Sequence, residues 1–342
     1  MKLICIEEHA VCPAITQAAQ PALQRQAPAV GLQSASAAVS AVRIGDRPTL
    51  VEVSEAMKLG LDLGEGRIQH MDRHGIDMQV VSYTSPAQLV PCDQAVALTR
   101  AANDRLAGAI SANPTRLSGF AVLPWQDPQA AVGELDRAVR GLGLKGVMIA
   151  GRPGDTFLDD PRYAPVLQKL SDLEVPLYLH PFNPLPQVRE AYYAGFRPEV
   201  STIFSLGGWG WHNEAGVHLL RLILAGVFEQ FPGLQVISGH WGEMVPFYLQ
   251  RLDDMLPPSL TGLGATISET YRNHVWVTPS GMFYQPQFEF IRNVIGLDRV
   301  IWAVDYPFLT LEGTRKFLEN LPITEHERHK IAHGNAERLF RL

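Results

Sequence analysis

Residues 2–9 read Lys-Leu-Ile-Cys-Ile-Glu-Glu-His, an apolar β-type run that ends in side chains able to bind a metal. The same pattern recurs far along the chain. Residues 175–180 read Val-Pro-Leu-Tyr-Leu-His, residues 234–240 Leu-Gln-Val-Ile-Ser-Gly-His, and residues 299–305 Arg-Val-Ile-Trp-Ala-Val-Asp. Four further short runs, at 78–82, 117–123, 144–149 and 274–277, lack such an ending. Eight runs separated by helical stretches predict an α/β fold, a distorted (β/α)8 TIM barrel. In a parallel barrel every strand ends at the same mouth, so residues hundreds of positions apart meet there.

Between the runs, helical periodicity covers 94–112, 128–139 and 161–171, as crossover helices require. Asp160 before Pro161 reads as an ordinary helix start, and Gly75 suits the C-terminal cap of a helix carrying His70 and His74, both expected at the surface. Two connections are too long for simple turns. Residues 13–66, rich in Ala, Gln, Ser and Pro at first, read as an insertion after the first strand that carries short helices or a covering loop near the mouth. Its Arg25, Arg43 and Arg47 read as solvated charges, though one could reach a substrate. Residues 181–213 form a second insertion, after the fifth strand, with Gly-Gly-Trp-Gly-Trp at 207–211 as a candidate substrate loop that lacks the spacing of a phosphate loop. The chain closes with helical residues 324–333, then Asn335 as the cap of a last helix. Residues 1–342 read as a single barrel domain.

Composition limits the partners. The net charge of −6 and the absence of a basic run argue against nucleic acid. No apolar stretch approaches the roughly 20 residues needed to cross a bilayer, so a membrane is not expected either. Cys5, Cys12 and Cys92 are an odd number without metal-site spacing and read as small packed residues. The chain opens on a β-type run rather than a signal-peptide pattern, and the expected location is the cytoplasm.

The chemistry lies at the run ends. Strand side chains alternate, which puts Glu7 and His9 on one face, and a hard oxygen beside a neutral nitrogen suits zinc or manganese. His180, His240 and Asp305 each finish a run, and each taken singly could be structural. Gly239 and Gly242 permit an irregular turn around His240, and Pro307 halts the strand shortly after Asp305.

At these residues the chain resembles the amidohydrolase superfamily, and more narrowly its metal-dependent decarboxylases of γ-resorcylate, 2,3-dihydroxybenzoate, 5-carboxyvanillate and aminocarboxymuconate semialdehyde. The resemblance spans nearly the whole chain. It rests on Ile-Glu-Glu-His at 6–9, Met-Asp-Arg-His-Gly-Ile-Asp at 71–77, Leu-Asp-Asp-Pro-Arg-Tyr at 158–163, Pro-Leu-Tyr-Leu-His-Pro at 176–181, Gly-His-Trp-Gly-Glu-Met-Val-Pro-Phe at 239–247 and Val-Asp-Tyr-Pro-Phe at 304–308.

The resemblance implies one divalent ion, Zn2+ or Mn2+, held by Glu7, His9, His180 and Asp305. It implies that His240 lies over the substrate as a catalytic residue, with Glu243 orienting it, that Arg251 binds a substrate carboxylate, and that Asp305 is the proton donor. Relatives with two metals use a lysine at the end of strand four. Here that strand ends at Ile149-Ala150 and Lys145 lies near its start, so one metal is expected. The expected activity is nonoxidative decarboxylation of a hydroxylated aromatic acid by a homo-oligomeric enzyme, dimer or tetramer. The alternatives are a metal-dependent hydrolase or hydratase, lactonase-like, acting on a small carboxylated substrate, and a noncatalytic binding barrel.

Overall fold

The computed structural model describes residues 1–26 and 48–342. Among the described residues seven strands are regular: β1 (Ile4–Ala10), β2 (Met78–Tyr83), β3 (Leu117–Gly119), β4 (Val147–Ala150), β5 (Leu177–His180), β6 (Val236–Ser238) and β7 (Val275–Val277). They form two parallel sheets, β1-β2-β3 and β4-β5-β6-β7. An Ala121–Val147 bridge joins them. The eighth run, 299–303, forms no regular strand. It closes the barrel through isolated parallel bridges, Val277 to Val300 and Ile6 to Ala303. This is an α/β distorted barrel, as its sequence predicts.

Two apolar layers hold it. Ile4, Ile6, Met78, Val80, Phe120, Met148, Tyr178, Ile237, Trp276, Ile301 and Ala303, drawn from all eight runs, pack with Ala336 and Phe340 in one buried cluster. That cluster is the barrel interior, and the C-terminal helix Asn335–Phe340 plugs one end of it. The alternate residues of the same strands, such as Cys5, Val81 and Leu177, pack outward against the helices.

Asn335 is not the helix cap that its position predicts. The residue before it is already helical, and the buried Asn335 side chain donates to the carbonyls of Leu297 and Val300 at 2.8 and 2.7 Å, tying this helix to the eighth run. Gly75 does cap its helix, at φ 66°, and Asp160 accepts from the Arg162 N–H at 3.0 Å. His70 and His74 are half-buried and belong to neither ligand cluster, and His70 Nδ1 lies 3.1 Å from the Tyr306 hydroxyl. Cys5 and Cys12 are packed as expected, whereas Cys92 is exposed; all three are free thiols.

The connection after β1 carries the helices Pro13–Gln26 and Val53–Leu61, with Arg25 exposed on the first. Arg43 and Arg47 lie outside the described residues. Residues 49–51 then run antiparallel to 308–310, just beyond Asp305: Val51 N donates to Phe308 O at 2.8 Å and Thr310 N to Thr49 O at 3.0 Å. The connection after β5 folds as helices Pro186–Tyr193 and Pro198–Ser205 before the long helix Gly210–Leu224.

Candidate metal centre and active site

Alternation alone would aim the wrong glutamate into the barrel. Ile4 and Ile6 face the interior, so a regular strand would bring Glu8 inward. Instead the register of β1 against β2 shifts between Ile6 and Glu8, making Glu7 an extra, bulged residue at φ 65°. Glu7 and His9 therefore both turn to the mouth, and Glu8 faces the outer layer. The expectation that Glu7 and His9 share a face holds, but a bulge produces it.

The mouth gathers the four expected ligands. One donor atom from each of Glu7, His9, His180 and Asp305 lies within 4.8 Å of all the others. His9 Nε2 is 3.0 Å from Asp305 Oδ1, and His180 Nε2 is 3.6 Å from Glu7 Oε1. Their outer nitrogens are occupied: His180 Nδ1 donates to the Pro181 carbonyl at 2.8 Å, and His9 Nδ1 lies 3.2 Å from Ser82 Oγ. The inner nitrogen of His180 is thereby left as a lone-pair donor, and that of His9 is one wherever its Nδ1 donates to Ser82.

These residues fit a divalent cation on one observation. Glu7 Oε1, His9 Nε2 and Asp305 Oδ1 are buried polar atoms with no hydrogen-bond partner, and they converge on one point. His9 Nε2 and Asp305 Oδ1 are close but lack the alignment of a hydrogen bond. A buried polar atom without a partner is costly, and three together require a common one. Burial, with like charge from His9 and His240, holds the His180 imidazole well below its usual range and hence neutral, the form that binds metal. Burial, reinforced by Asp305, raises the carboxyl of Glu7, and a cation would offset both effects.

Several polar side chains support the cluster from beneath. Ser280 Oγ bonds Glu7 Oε2 and accepts from the His240 N–H at 2.9 Å. Thr278 Oγ1 bonds Ser280 at 2.9 Å and the Tyr178 hydroxyl at 3.1 Å. Both follow β7, a run with no charged ending. Attention to small polar residues at strand ends would have found them. Gly239 allows this crowding, since a Cβ there would lie 2.9 Å from the Tyr178 hydroxyl and 3.1 Å from Glu7 Oε1.

A second cluster abuts the first. His240 Nδ1 is 2.7 Å from Glu243 Oε1, and His212 Nδ1 is 2.8 Å from Glu243 Oε2. The His240 ring lies 6.4 Å from that of His180, between the two clusters. Burial opposes charge on His240, but Glu243 and Glu7 outweigh it and lift its pKa to about 10. Burial likewise opposes ionisation of Glu243, and the two imidazoles pull it below the usual carboxylate range. His212 lies in the 181–213 insertion, one residue beyond the Gly-Gly-Trp-Gly-Trp stretch at 207–211.

The backbone here is unusual. Glu7, His240, Trp241, Glu243, Met244, Ser280 and Asp305 all take left-handed φ values between 45° and 69°. Non-glycine residues rarely adopt them, and such strain concentrates at functional sites.

Arg251 is not brought into either cluster. It lies exposed on the helix Val245–Met255, with no ion-pair partner among the described residues. Lys145 sits at the opposite end of the barrel and donates to the Arg341 carbonyl at 3.3 Å. Among the described residues no lysine accompanies the four ligands.

An amidohydrolase family profile matches residues 62–342. The chain belongs to the amidohydrolase family. Among its relatives, γ-resorcylate decarboxylase of Rhizobium sp. is 36% identical over 296 residues, covering 82% of this chain and 88% of that protein. A dihydroxybenzoic acid decarboxylase of Polaromonas sp., solved with manganese and 2-nitroresorcinol, superposes with a TM-score of 0.84 at 29% identity, covering 100% of this chain and 97% of that one. The 5-carboxyvanillate decarboxylase of Novosphingobium aromaticivorans, solved with manganese and 4-hydroxy-3-methoxy-5-nitrobenzoic acid, gives 0.86 at 30% identity, covering 100% and 96%. Within the amidohydrolases, this chain groups with metal-dependent decarboxylases.

Proposed function

We propose that this amidohydrolase is a divalent-metal-dependent carboxy-lyase that removes carbon dioxide, without oxidation, from a hydroxylated aromatic carboxylic acid. The observation that carries the reading is the convergence of three unpartnered buried atoms, from Glu7, His9 and Asp305, beside His180 at the mouth of a barrel shared with aromatic-acid decarboxylases. Glu7, His9, His180 and Asp305 would hold one ion; manganese, present in the solved relatives, is preferred over zinc. When bound, the ion supplies positive charge against the phenolic and carboxylate oxygens and against negative charge in the ring.

The chain's own residues do the rest. His240, held through Nδ1 by Glu243, presents Nε2 to the substrate and orients the acid. Asp305 delivers a proton to the ring carbon that bears the carboxylate. The bond from that carbon to the carboxylate then breaks, carbon dioxide leaves, and its electron pair restores the aromatic ring. Water is neither added nor consumed. Arg251 lies outside both clusters, and its role as reader of the substrate carboxylate is proposed from the resemblance alone; its guanidinium has no ion-pair partner among the described residues.

Residues 1–342 would act as one domain, because the C-terminal helix plugs the same barrel that β1 opens. Exposed aromatic side chains at Tyr192, Phe196, Phe247 and Tyr248 support a homo-oligomer, which size-exclusion chromatography with light scattering would test. Three unpaired thiols support a reducing, cytoplasmic location; no described helix is long and apolar enough to cross a membrane.

The test is turnover of a panel of ortho-hydroxybenzoates in deuterated water. The expected outcome is release of carbon dioxide with one solvent deuterium at the carbon that carried the carboxyl group, both lost in Asp305→Asn even after metal is restored. Incorporation of solvent oxygen without carbon dioxide, on substrates turned over well, would reject decarboxylation in favour of the hydrolase or hydratase.

A further inference from the structure

The helix Gly210–Leu224 brings a histidine to the site that the mechanism above does not use. His212 lies in its first turn, and its Nδ1 meets Oε2 of Glu243 at 2.8 Å, while Oε1 of the same carboxylate meets Nδ1 of His240 at 2.7 Å. The two imidazole rings stand 4.4 Å apart, inclined at 64°. One buried carboxylate thus lies between two imidazoles.

The hydrogen-bond chemistry of His212 is fixed from its other side. Trp211 Nε1 lies 2.9 Å from His212 Nε2, and an indole N–H can only donate. That makes Nε2 an acceptor and leaves the imidazole proton on Nδ1, directed at Glu243. The Gly207 carbonyl lies near the same Nε2 at the longer distance of 3.2 Å, so the indole contact decides. The approach of this helix is equally specific: a Cβ at Gly216 would stand 2.7 Å from the Glu243 carbonyl oxygen. Each Glu243 oxygen therefore receives one imidazole N–H, and rotation of the carboxylate would break both bonds.

What Glu243 does for His240 depends on that arrangement. An imidazole with Nδ1–H committed to a carboxylate is held in one ring plane, and its Nε2 is the nitrogen left for the substrate. Without the second donor, Glu243 could turn or take a different partner, and His240 would gain a second arrangement. We infer that His212 is a positioning residue for turnover: by occupying one oxygen of Glu243 it holds the other against Nδ1 of His240, fixing the orientation of that ring and turning its Nε2 to the substrate. This rests on the decarboxylase reading for its kinetics but not for its geometry.

The test uses the metal-loaded full-length enzyme. His212→Phe keeps a ring and removes the N–H, whereas His212→Asn keeps a donor near the place of Nδ1; His212→Ala replaces the phenylalanine variant should that one not fold. The donor-free variant should lose about tenfold to a hundredfold in kcat, with KM and metal content within about twofold, and the asparagine variant should recover most of the loss. A donor-free variant with unchanged kcat, an asparagine variant no better than it, or joint loss of metal in both would overturn the inference. A second readout is independent of turnover. In the zinc-loaded, 15N-histidine-labelled protein, the Nδ1–H signal of His240 should persist in His212→Asn and be lost or exchange-broadened in the donor-free variant. An unchanged signal would overturn the positioning role. If that signal responds as expected while the parent enzyme decarboxylates nothing, the positioning stands and only the decarboxylase reading falls.

Discussion

The two clusters at the barrel mouth are made of the same kinds of side chain and differ in their hydrogen-bond accounts. In the first, Glu7, His9 and Asp305 each leave a buried atom unmet. In the second, Glu243 receives an imidazole N–H on each oxygen and His212 is tied to Trp211 as well. Glu8, adjacent to Glu7 and equally buried, resembles the second: its oxygens accept from Val304 N and Gln79 Nε2, both at 3.0 Å, and Gln79 in turn accepts from the buried Arg67 at 3.0 Å. Unmet atoms that converge on one point mark where a ligand belongs. Met ones mark groups that act by staying where they are, or that hold the fold. Burial and residue type alone would not separate Glu7 from Glu8.

The largest effect should come from the unmet cluster. His180→Ala should lose both metal and activity, with kcat/KM falling on the order of a thousandfold or more, measured by elemental analysis beside steady-state kinetics after dialysis. The parent protein should hold one equivalent; a washed, active sample with two would break the single-ion model. His240→Asn should show the opposite profile, retaining metal while kcat falls about a hundredfold to ten-thousandfold. Equal metal loss in both variants would erase the distinction between the clusters.

Arg251→Met should have a narrower effect. It removes a bidentate partner for a carboxylate, so KM for the acid should rise about tenfold or more while inhibition by the product phenol hardly changes. An equal fall in affinity for acid and phenol would assign Arg251 to the fold. The smallest effect is expected at Glu8. Glu8→Gln turns an amide N–H toward one of two existing donors, so the melting temperature should drop by a few degrees while metal content and kcat stay within about twofold of the parent. Loss of metal in that variant would mean that the two neighbouring glutamates are not as distinct as their partners make them.

Much of this was legible from the chain. Glu7, His9, His180 and Asp305 each end an apolar run, and one-directional strands leave such residues only one place to meet. The rest depends on features without a local pattern. The bulge at Glu7 is a register event between two strands, and Ile4 and Ile6 taken with it would have pointed Glu8 inward. His212 belongs to a helix start that approaches Glu243 only through tertiary packing over Gly216. Asn335 looks like a cap because its sequence context suits one, yet two carbonyls near the eighth run claim its amide. The exposed position of Arg251, outside both clusters, likewise has no local pattern to announce it.

The left-handed backbone at Glu7, His240, Glu243 and Asp305 bears on how such a site could be moved. At each of these positions the main chain, more than the length of the side chain, sets the direction in which the functional group leaves the barrel rim. Copying only the residues onto the strand ends of another barrel would send them elsewhere. The portable unit is the residue together with the loop that bends it, so a transplant must carry the segments around 7, 240–244 and 305 whole, and with them the helix that brings in His212.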